Sequence, residues 1–126
     1  MKKEAYLIDI KTETSYIAEQ SLPEDERYVF AYTITIRNKG SVAARLLSRY
    51  WLITDGNGNT SEVRGEGVVG EQPYLQPGEE YQYTSGTVLE TPIGTMEGHY
   101  QMLADDGVQF EAPIPRFSLT NPQILH

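Results

Sequence analysis

Three glycines form the most recognisable chemical pattern in this sequence. Gly65, Gly67 and Gly70 directly follow Arg64 in the spacing G-x-G-x-x-G, which in dinucleotide-binding folds lets the backbone approach a diphosphate closely. That site also needs a helix that begins at the last glycine, and Pro73 interrupts the chain where such a helix would continue. The sequence therefore argues against a dinucleotide fold, while a simpler anion site stays open.

A small-ligand site on this segment is one functional hypothesis. Glycine allows several amide groups to converge on an anion, and an arginine beside them adds positive charge. The candidate ligand-binding residues are Arg64, Gly65, Gly67, Gly70 and Gln72. Glu66 and Glu71 flank the glycines and repel phosphate, so we expect at most weak binding of diphosphate or a nucleotide. A weakly bound divalent cation is the other ligand that this site leaves open.

The same segment also carries side chains suited to contact with a protein. Tyr74 stands between Pro73 and Leu75 on a predicted loop, where burying its ring is difficult. Exposed tyrosine near arginine is typical of protein interfaces. The candidate partner-binding residues are Glu66, Glu71 and Tyr74, and the expected partner is an unidentified protein.

Catalysis and metal binding have little support in the sequence. There is no cysteine, and the two histidines, His99 and His126, are too few for a typical transition-metal site. Ser85 lacks the Gly-x-Ser-x-Gly context of a hydrolase nucleophile. The run 55–59 resembles the start of a calcium loop, but Thr60 replaces its essential glycine. We expect no catalytic residue, metal site or cofactor, and a hydrogen-bonded structural role for His99.

Length and charge narrow the class of protein. The 126 residues predict one domain over 1–126. A net charge of −8 disfavours binding to nucleic acid, because an acidic surface repels phosphate backbones. No apolar run approaches the ~20 residues that span a bilayer, and the N-terminus lacks the apolar core of a signal peptide. We therefore expect a cytoplasmic protein with no membrane insertion.

Strands must position these side chains. Residues 28–38 alternate strictly, with Phe30, Tyr32, Ile34 and Ile36 on one face. Residues 42–54 alternate imperfectly, which indicates either a β-bulge or a strand covered on both faces. Turn signals at 38–40, 55–58 and 105–107 separate about seven or eight short strands. The prediction is an all-β, immunoglobulin- or fibronectin type III-like antiparallel β-sandwich with Trp51 in its core.

The run LQPGEEY (75–81) predicts one further structural detail. It resembles the turn that carries the tyrosine corner of fibronectin type III domains, in which a tyrosine hydroxyl bonds to nearby backbone. We therefore predict that role for Tyr81.

Three longer runs identify a family resemblance. RGEGVVGEQP (64–73), LQPGEEYQYTSG (75–86) and TPIGTMEGHY (91–100) resemble the signature runs of the bacterial ApaG proteins, and the similarity extends over nearly the whole chain. The resemblance implies a fibronectin-like sandwich and a module reused in a eukaryotic F-box adaptor and a polymerase-interacting protein. It also implies an association with cobalt and magnesium efflux, and a glycine motif discussed as a nucleotide or diphosphate site. It carries no agreed catalytic residues.

Two main functional hypotheses follow from these observations. The first is a non-enzymatic cytoplasmic module that mediates protein–protein interaction. The alternative is a small-ligand sensor that binds diphosphate, a nucleotide or a divalent cation at the loop from Gly65 to Gly70. The family's gene neighbours, a diadenosine tetraphosphatase and a ribosomal RNA dimethyltransferase, raise nucleotide hydrolysis as a third hypothesis, which no residue supports.

Overall fold

Eight strands account for most of the chain in the computed structural model, which describes residues 4–122. The strands are β1 (Ile8–Tyr16), β2 (Tyr28–Asn38), β3 (Ala44–Asp55), β4 (Thr60–Glu66), β5 (Tyr74–Leu75), β6 (Glu80–Leu89), β7 (Ile93–Ala104) and β8 (Gln109–Thr120). The helical segments of the described part are two 3₁₀ turns, Ala18–Gln20 and Pro23–Asp25. No described helix is long and apolar enough to cross a membrane.

The strands form two antiparallel sheets. One has three strands in the order β1-β2-β6, and the other has five, with β4-β3-β7-β8 in a row and β5 paired to β3. The neighbours β3, β7 and β8 correspond to strands C, F and G of an immunoglobulin-like sandwich. The predicted all-β sandwich is confirmed, and the two-residue β5 is a strand that the sequence pattern did not predict.

Alternation along the strands places the core between the two sheets. In β2 the predicted bounds are confirmed, and Phe30, Tyr32, Ile34 and Ile36 are all buried. Trp51 is 2% exposed, which confirms its predicted core position. Its indole ring makes edge contacts with Tyr32, at a centroid distance of 5.4 Å, and with two other buried or half-buried rings, those of Phe117 and Tyr100.

A β-bulge in β3 explains the imperfect alternation of residues 42–54. Leu46 pairs with Met102, but Ser48 pairs with Gln101, so Leu47 is an extra residue without a cross-strand partner. Of the two alternatives that the sequence left open, the structure selects the bulge. It allows Leu46 and Trp51, which lie at positions of opposite parity, to face the same core.

The predicted tyrosine corner does not form. The Tyr81 hydroxyl makes no hydrogen bond within the described residues, and the turn is held instead by the buried side chain of Asn38. Its amide nitrogen donates to the carbonyls of Val42 and Leu75, both at 3.0 Å. The motif leads into β6 of the three-stranded sheet, directly across from the end of β2. Asn38 at that end of β2 therefore supplies the hydrogen bonds that hold the turn.

A pair of tyrosine hydroxyls connects the sheets inside the core. The hydroxyl oxygens of Tyr83 on β6 and Tyr100 on β7 lie 2.5 Å apart. Burial raises the pKa of both phenols above the ordinary value, so both stay protonated and one donates to the other. Neither hydroxyl has a second partner within the described residues, which makes each the other's only source of hydrogen bonding.

This pair generates a thermodynamic prediction. Replacing either tyrosine with phenylalanine leaves a buried hydroxyl unpaired, so we expect each single variant to lose about 1–3 kcal/mol of unfolding free energy. The double variant Tyr83→Phe/Tyr100→Phe removes both hydroxyls and should lose less than the sum of the singles by about 1 kcal/mol. Urea unfolding of all four proteins measures this coupling. Additive losses would show that the hydroxyls do not act as a pair.

Candidate partner-binding face and glycine loop

The glycine segment forms a tight turn in place of a helix. Val68 and Glu71 exchange two backbone hydrogen bonds of 2.8 and 2.9 Å, with Val69 and Gly70 between them. Both central residues have positive φ, 48° and 81°, the pattern of a type I′ turn. The Val68 side chain is fully buried and anchors the loop to the core.

The first two glycines have structural reasons to be glycine. A Cβ on Gly65 would lie 2.7 Å from the guanidinium nitrogens of Arg49, which pack against its backbone. Gly67 has a φ of 60°, and a Cβ there would lie 2.2 Å from the carbonyl oxygen of Glu71. The G-x-G-x-x-G spacing is therefore explained by the local packing of this chain, without any ligand.

Most polar backbone groups of the loop already have partners inside the protein. The Gly67 amide donates to the carbonyl of Leu47 at 2.8 Å, and the Gln72 side-chain amide donates to the same oxygen at 2.9 Å. Arg49 donates to the Glu66 and Gly67 carbonyls, both at 3.0 Å. A diphosphate cradle needs several free amides aimed at one point, and this loop directs those of Gly67, Val68 and Glu71 inward.

Arg64 points away from the turn that it precedes in sequence. Its guanidinium carbon lies 4.4 Å from the ring centroid of Tyr50, and its Nη2 lies 3.5 Å from a carboxylate oxygen of Glu62. The structure thus brings Gly67, Gly70 and Gln72 together around a depression of about 310 Å³ that Glu66 and Glu71 also line. Arg64 lines a different depression.

That second depression lies on the solvent side of the five-stranded sheet. Tyr50 stacks on the imidazole of His99, with centroids 5.1 Å apart and an interplanar angle of 29°. The His99 Nε2 lies 3.3 Å from a carboxylate oxygen of Glu111, and the Tyr50 hydroxyl donates to Glu62 at 2.6 Å. The depression measures about 430 Å³ and also includes Ser48 and Gln101.

A second arginine–tyrosine pair occupies the same side of the sheet. Arg45 places its guanidinium carbon 5.2 Å from the ring centroid of Tyr74, and the Tyr74 hydroxyl donates to Asp105 at 2.6 Å. Arg45 also donates to the Gln72 carbonyl at 2.7 Å. We use the term outer face for the surface formed by Arg45, Ser48, Tyr50, Arg64, Tyr74, His99, Gln101 and Glu111.

The remaining candidates for chemistry do not converge. Ser85 lies on the core-facing side of β6, opposite Tyr32, whereas His99 lies on the outer face of the other sheet. Asp55 accepts the amides of Asn57 and Asn59 at 2.9 and 3.0 Å, which is the geometry of a hairpin turn. Within residues 4–122, no three His, Cys, Asp or Glu side chains converge to hold a metal. His126 lies outside the described residues.

Comparison with known proteins assigns a family. A family model described as the ApaG domain matches residues 18–104. Protein ApaG of Azoarcus sp. (strain BH72) is 61% identical over 125 residues, which cover 99% of this chain and 98% of that protein. The chain belongs to the ApaG family.

Relatives and solved structures of the family cover the chain almost completely. Protein ApaG of Escherichia coli O1:K1 / APEC is 59% identical over 93% of this chain and 94% of its own length. The crystal structure of the putative ApaA protein from Bordetella pertussis is similar to this one, with a TM-score of 0.94 and 48% sequence identity. That match covers 97% of this chain and 99% of the other, so the ApaG resemblance stated from the sequence is confirmed.

Sequence reasoning found part of the outer face of this ApaG-family chain and missed the rest. It selected Arg64 and Tyr74 but not Tyr50, His99 or Glu111. One usable signal was the predicted hairpin at 55–58, since continuing its pairing outward sets Tyr50 opposite Arg64. The position of His99 beside Tyr50 depends on the pairing of β3 with β7, which no local sequence pattern reveals.

The turn of the glycine loop generates a second prediction. Val69 is β-branched, 62% exposed and held at a φ of 48°, a conformation that costs such residues roughly 1–2 kcal/mol. Asparagine tolerates this region and is preferred before glycine in type I′ turns. We expect Val69→Asn to raise the unfolding free energy by about 1 kcal/mol in urea titrations.

The matched control is Val88→Asn. Val88 is also an exposed valine, 49% accessible, but it lies in regular β6, where asparagine has poor propensity. The Val88→Asn substitution should leave the unfolding free energy unchanged or lower it. Equal effects at both positions would mean that strain at Val69 does not limit stability.

Proposed function

We propose that this ApaG-family protein is a non-enzymatic module that binds a protein partner through its outer face. The observation that carries this proposal is the presence of two arginine–tyrosine pairs on one face of one sheet, Arg64 with Tyr50 and Arg45 with Tyr74. Tyrosine and arginine dominate the energetically important positions of protein interfaces.

Both tyrosines are held in place before any partner arrives. Each hydroxyl is bound to a carboxylate at 2.6 Å, Tyr50 to Glu62 and Tyr74 to Asp105, and each ring packs against a guanidinium. Side chains that are already ordered lose less conformational entropy on binding. Strands also hold them more rigidly than a loop would, which supports a preformed recognition surface.

The glycine loop extends this surface at one end. Glu66 lines both the glycine-loop depression and the outer-face depression, and Glu71, another sequence-predicted partner residue, lines the first of these. The loop tip exposes the apolar side chain of Val69 in a strained conformation. Strain that the fold tolerates at an exposed position is common at functional sites, which supports a contact role for this residue.

The absence of enzymatic activity is part of the proposal. The chemically capable side chains Ser85 and His99 face different directions on different sheets. The proposal places the module in the cytoplasm. It also attributes the family-level association with cobalt and magnesium to the partner, so that the metal phenotype arises indirectly.

The experiment is affinity capture from native cytosol with matched variants. We expect the wild-type protein to retain a stoichiometric protein partner that Tyr50→Ala/Arg64→Ala does not retain. The control is Thr33→Ala/Thr84→Ala, which removes a 2.7 Å hydroxyl pair from the outer side of the other sheet and should bind normally. With the purified partner, calorimetry should show a Kd weakened at least roughly 30-fold in the first variant only.

Two outcomes would contradict the proposal. Wild-type protein that retains no stoichiometric partner at any of several salt concentrations would remove its basis. A partner that binds both double variants equally well would place recognition elsewhere on the molecule.

A second candidate function is small-ligand sensing at the glycine loop. The observation that favours it is the depression of about 310 Å³ between Glu66, Gly67, Gly70, Glu71 and Gln72. Its two carboxylates suit a hydrated divalent cation better than an anion, whereas diphosphate would need the charge of Arg64. A sensor of either ligand would work without catalysis.

Separate titrations with pyrophosphate and magnesium chloride, followed by amide chemical shifts, test this candidate. Magnesium binding predicts saturable shifts at residues 66–72 that disappear in Glu66→Gln/Glu71→Gln. Pyrophosphate binding predicts shifts that disappear in Arg64→Ala, with an unchanged melting temperature. No saturable shift with either ligand would leave the protein-binding module as the sole candidate.

A further inference from the structure

The far edge of β6 is an unpaired strand edge. Within residues 4–122, the backbone of β6 forms its ladder with β2 alone. The amide of Asn38 donates to the carbonyl of Glu79 at 2.9 Å, which makes this a hydrogen-bonded pair of the antiparallel ladder. Hydrogen-bonded and non-hydrogen-bonded pairs alternate. The residues whose N–H and C=O point away from β2 are therefore Glu80, Gln82, Thr84, Gly86 and Val88.

This edge lacks the features that normally prevent strand addition. Proteins protect their edges with proline, lysine, bulges or very short strands. The edge strand β8 contains Pro113 and Pro115 and pairs with a register shift between Met96 and Gly98, and β1 lies beside it. In contrast, β6 has ten residues in continuous register and contains no proline, lysine or arginine.

Gly86 lies in the middle of the unprotected edge. Its φ is outside the positive region, and the only atom within 4 Å of an added Cβ is the carbonyl oxygen of Phe30, at 3.2 Å. No turn or positive φ requires a glycine here, and glycine weakens a strand. Glycine inside a strand commonly marks a place where another backbone approaches closely, and here that backbone is β2, whose Phe30 carbonyl leaves little room for a Cβ. The same glycine leaves the middle of the free edge without a side chain.

We propose that the edge of β6 binds an extended, basic peptide segment of a partner protein as an added strand. Acidic residues flank the edge at both ends, with Glu79 before it and Glu90 after it. Beside its C-terminal end lies a crevice of about 210 Å³, lined by the apolar side chains of Ile53, Val88 and Leu89 and by polar and acidic residues that include Asp55 and Glu90. A segment with alternating apolar side chains and basic ends matches this combination.

Charge also distinguishes this occupant from a second copy of the chain. Each copy carries a net charge of −8, and antiparallel pairing of two β6 strands about Ser85 would set Glu80 opposite Glu90 of the other copy. Like charges directly opposed across strands are destabilising. The β6 edge belongs to the sheet that does not carry the outer face, so this inference does not depend on the proposed function.

The test uses a synthetic peptide of alternating threonine and valine with arginine at both ends. We expect saturable amide shifts confined to residues 79–90 and to the crevice. Hydrogen exchange of the Gln82, Thr84, Gly86 and Val88 amides should slow roughly tenfold or more at saturation. The same peptide with alternate amides N-methylated keeps its side chains but loses its donors, and it should not bind. Tyr50→Ala should bind the peptide normally.

Two protein variants complete the test. Thr84→Pro removes an outward N–H without breaking the ladder to β2 and should abolish binding, whereas Thr33→Ala loses the same hydroxyl contact and keeps the edge. If Thr84→Pro does not fold, Glu79→Lys/Glu90→Lys should weaken binding of the basic peptide at least tenfold and favour a peptide with glutamate ends.

Binding of the N-methylated peptide, shifts elsewhere, or no binding would overturn the proposal. Protection of the same amides by self-association without peptide would assign the edge to a second copy and also overturn it.

Discussion

A single extra residue, Leu47 in β3, determines how this sandwich is arranged. Before it, Ala44 and Leu46 face the core, and after it Trp51 faces the same core. Without this shift in parity, the long strand would bury one half of its apolar side chains and expose the other. The same shift brings Arg45 and Tyr50 to the solvent side together, so the outer face depends on the bulge as much as the core does.

The bulge and the glycine loop are parts of one structure. The Leu47 carbonyl faces β4, on the side of β3 away from the β7 ladder, and accepts the Gly67 amide, which continues the β3–β4 register, and the Gln72 side-chain amide. Arg49, the next inward-facing residue of β3, fixes two loop carbonyls and lies against Gly65. The loop therefore completes the hydrogen bonding of β3, which is a structural task that its glycine pattern serves directly.

Local patterns in the sequence were sufficient for the fold class but not for the candidate sites. Strict alternation predicted β2 to the residue, and Asp-Gly and Asn-Gly signals predicted the hairpin at 55–58, because both are properties of neighbouring residues. The Leu75–Tyr81 motif was misread as a tyrosine corner, because its partner Asn38 lies far away in sequence. The stack of Tyr50 on His99 and the free edge of β6 depend on which strands become neighbours, and periodicity does not encode that choice.

The strand order also affects how the protein emerges from the ribosome. Although β2 is complete at Asn38, its neighbour β6 does not begin until Glu80, and the intervening residues take on the order of several seconds to synthesise. During that interval the even-numbered backbone groups of β2 have no strand to pair with, while Phe30, Tyr32, Ile34 and Ile36 have no completed core to enter. The nascent chain thus presents an apolar strand with an open edge, a form that invites aggregation, and a chaperone would be most useful to this protein before β6 is made.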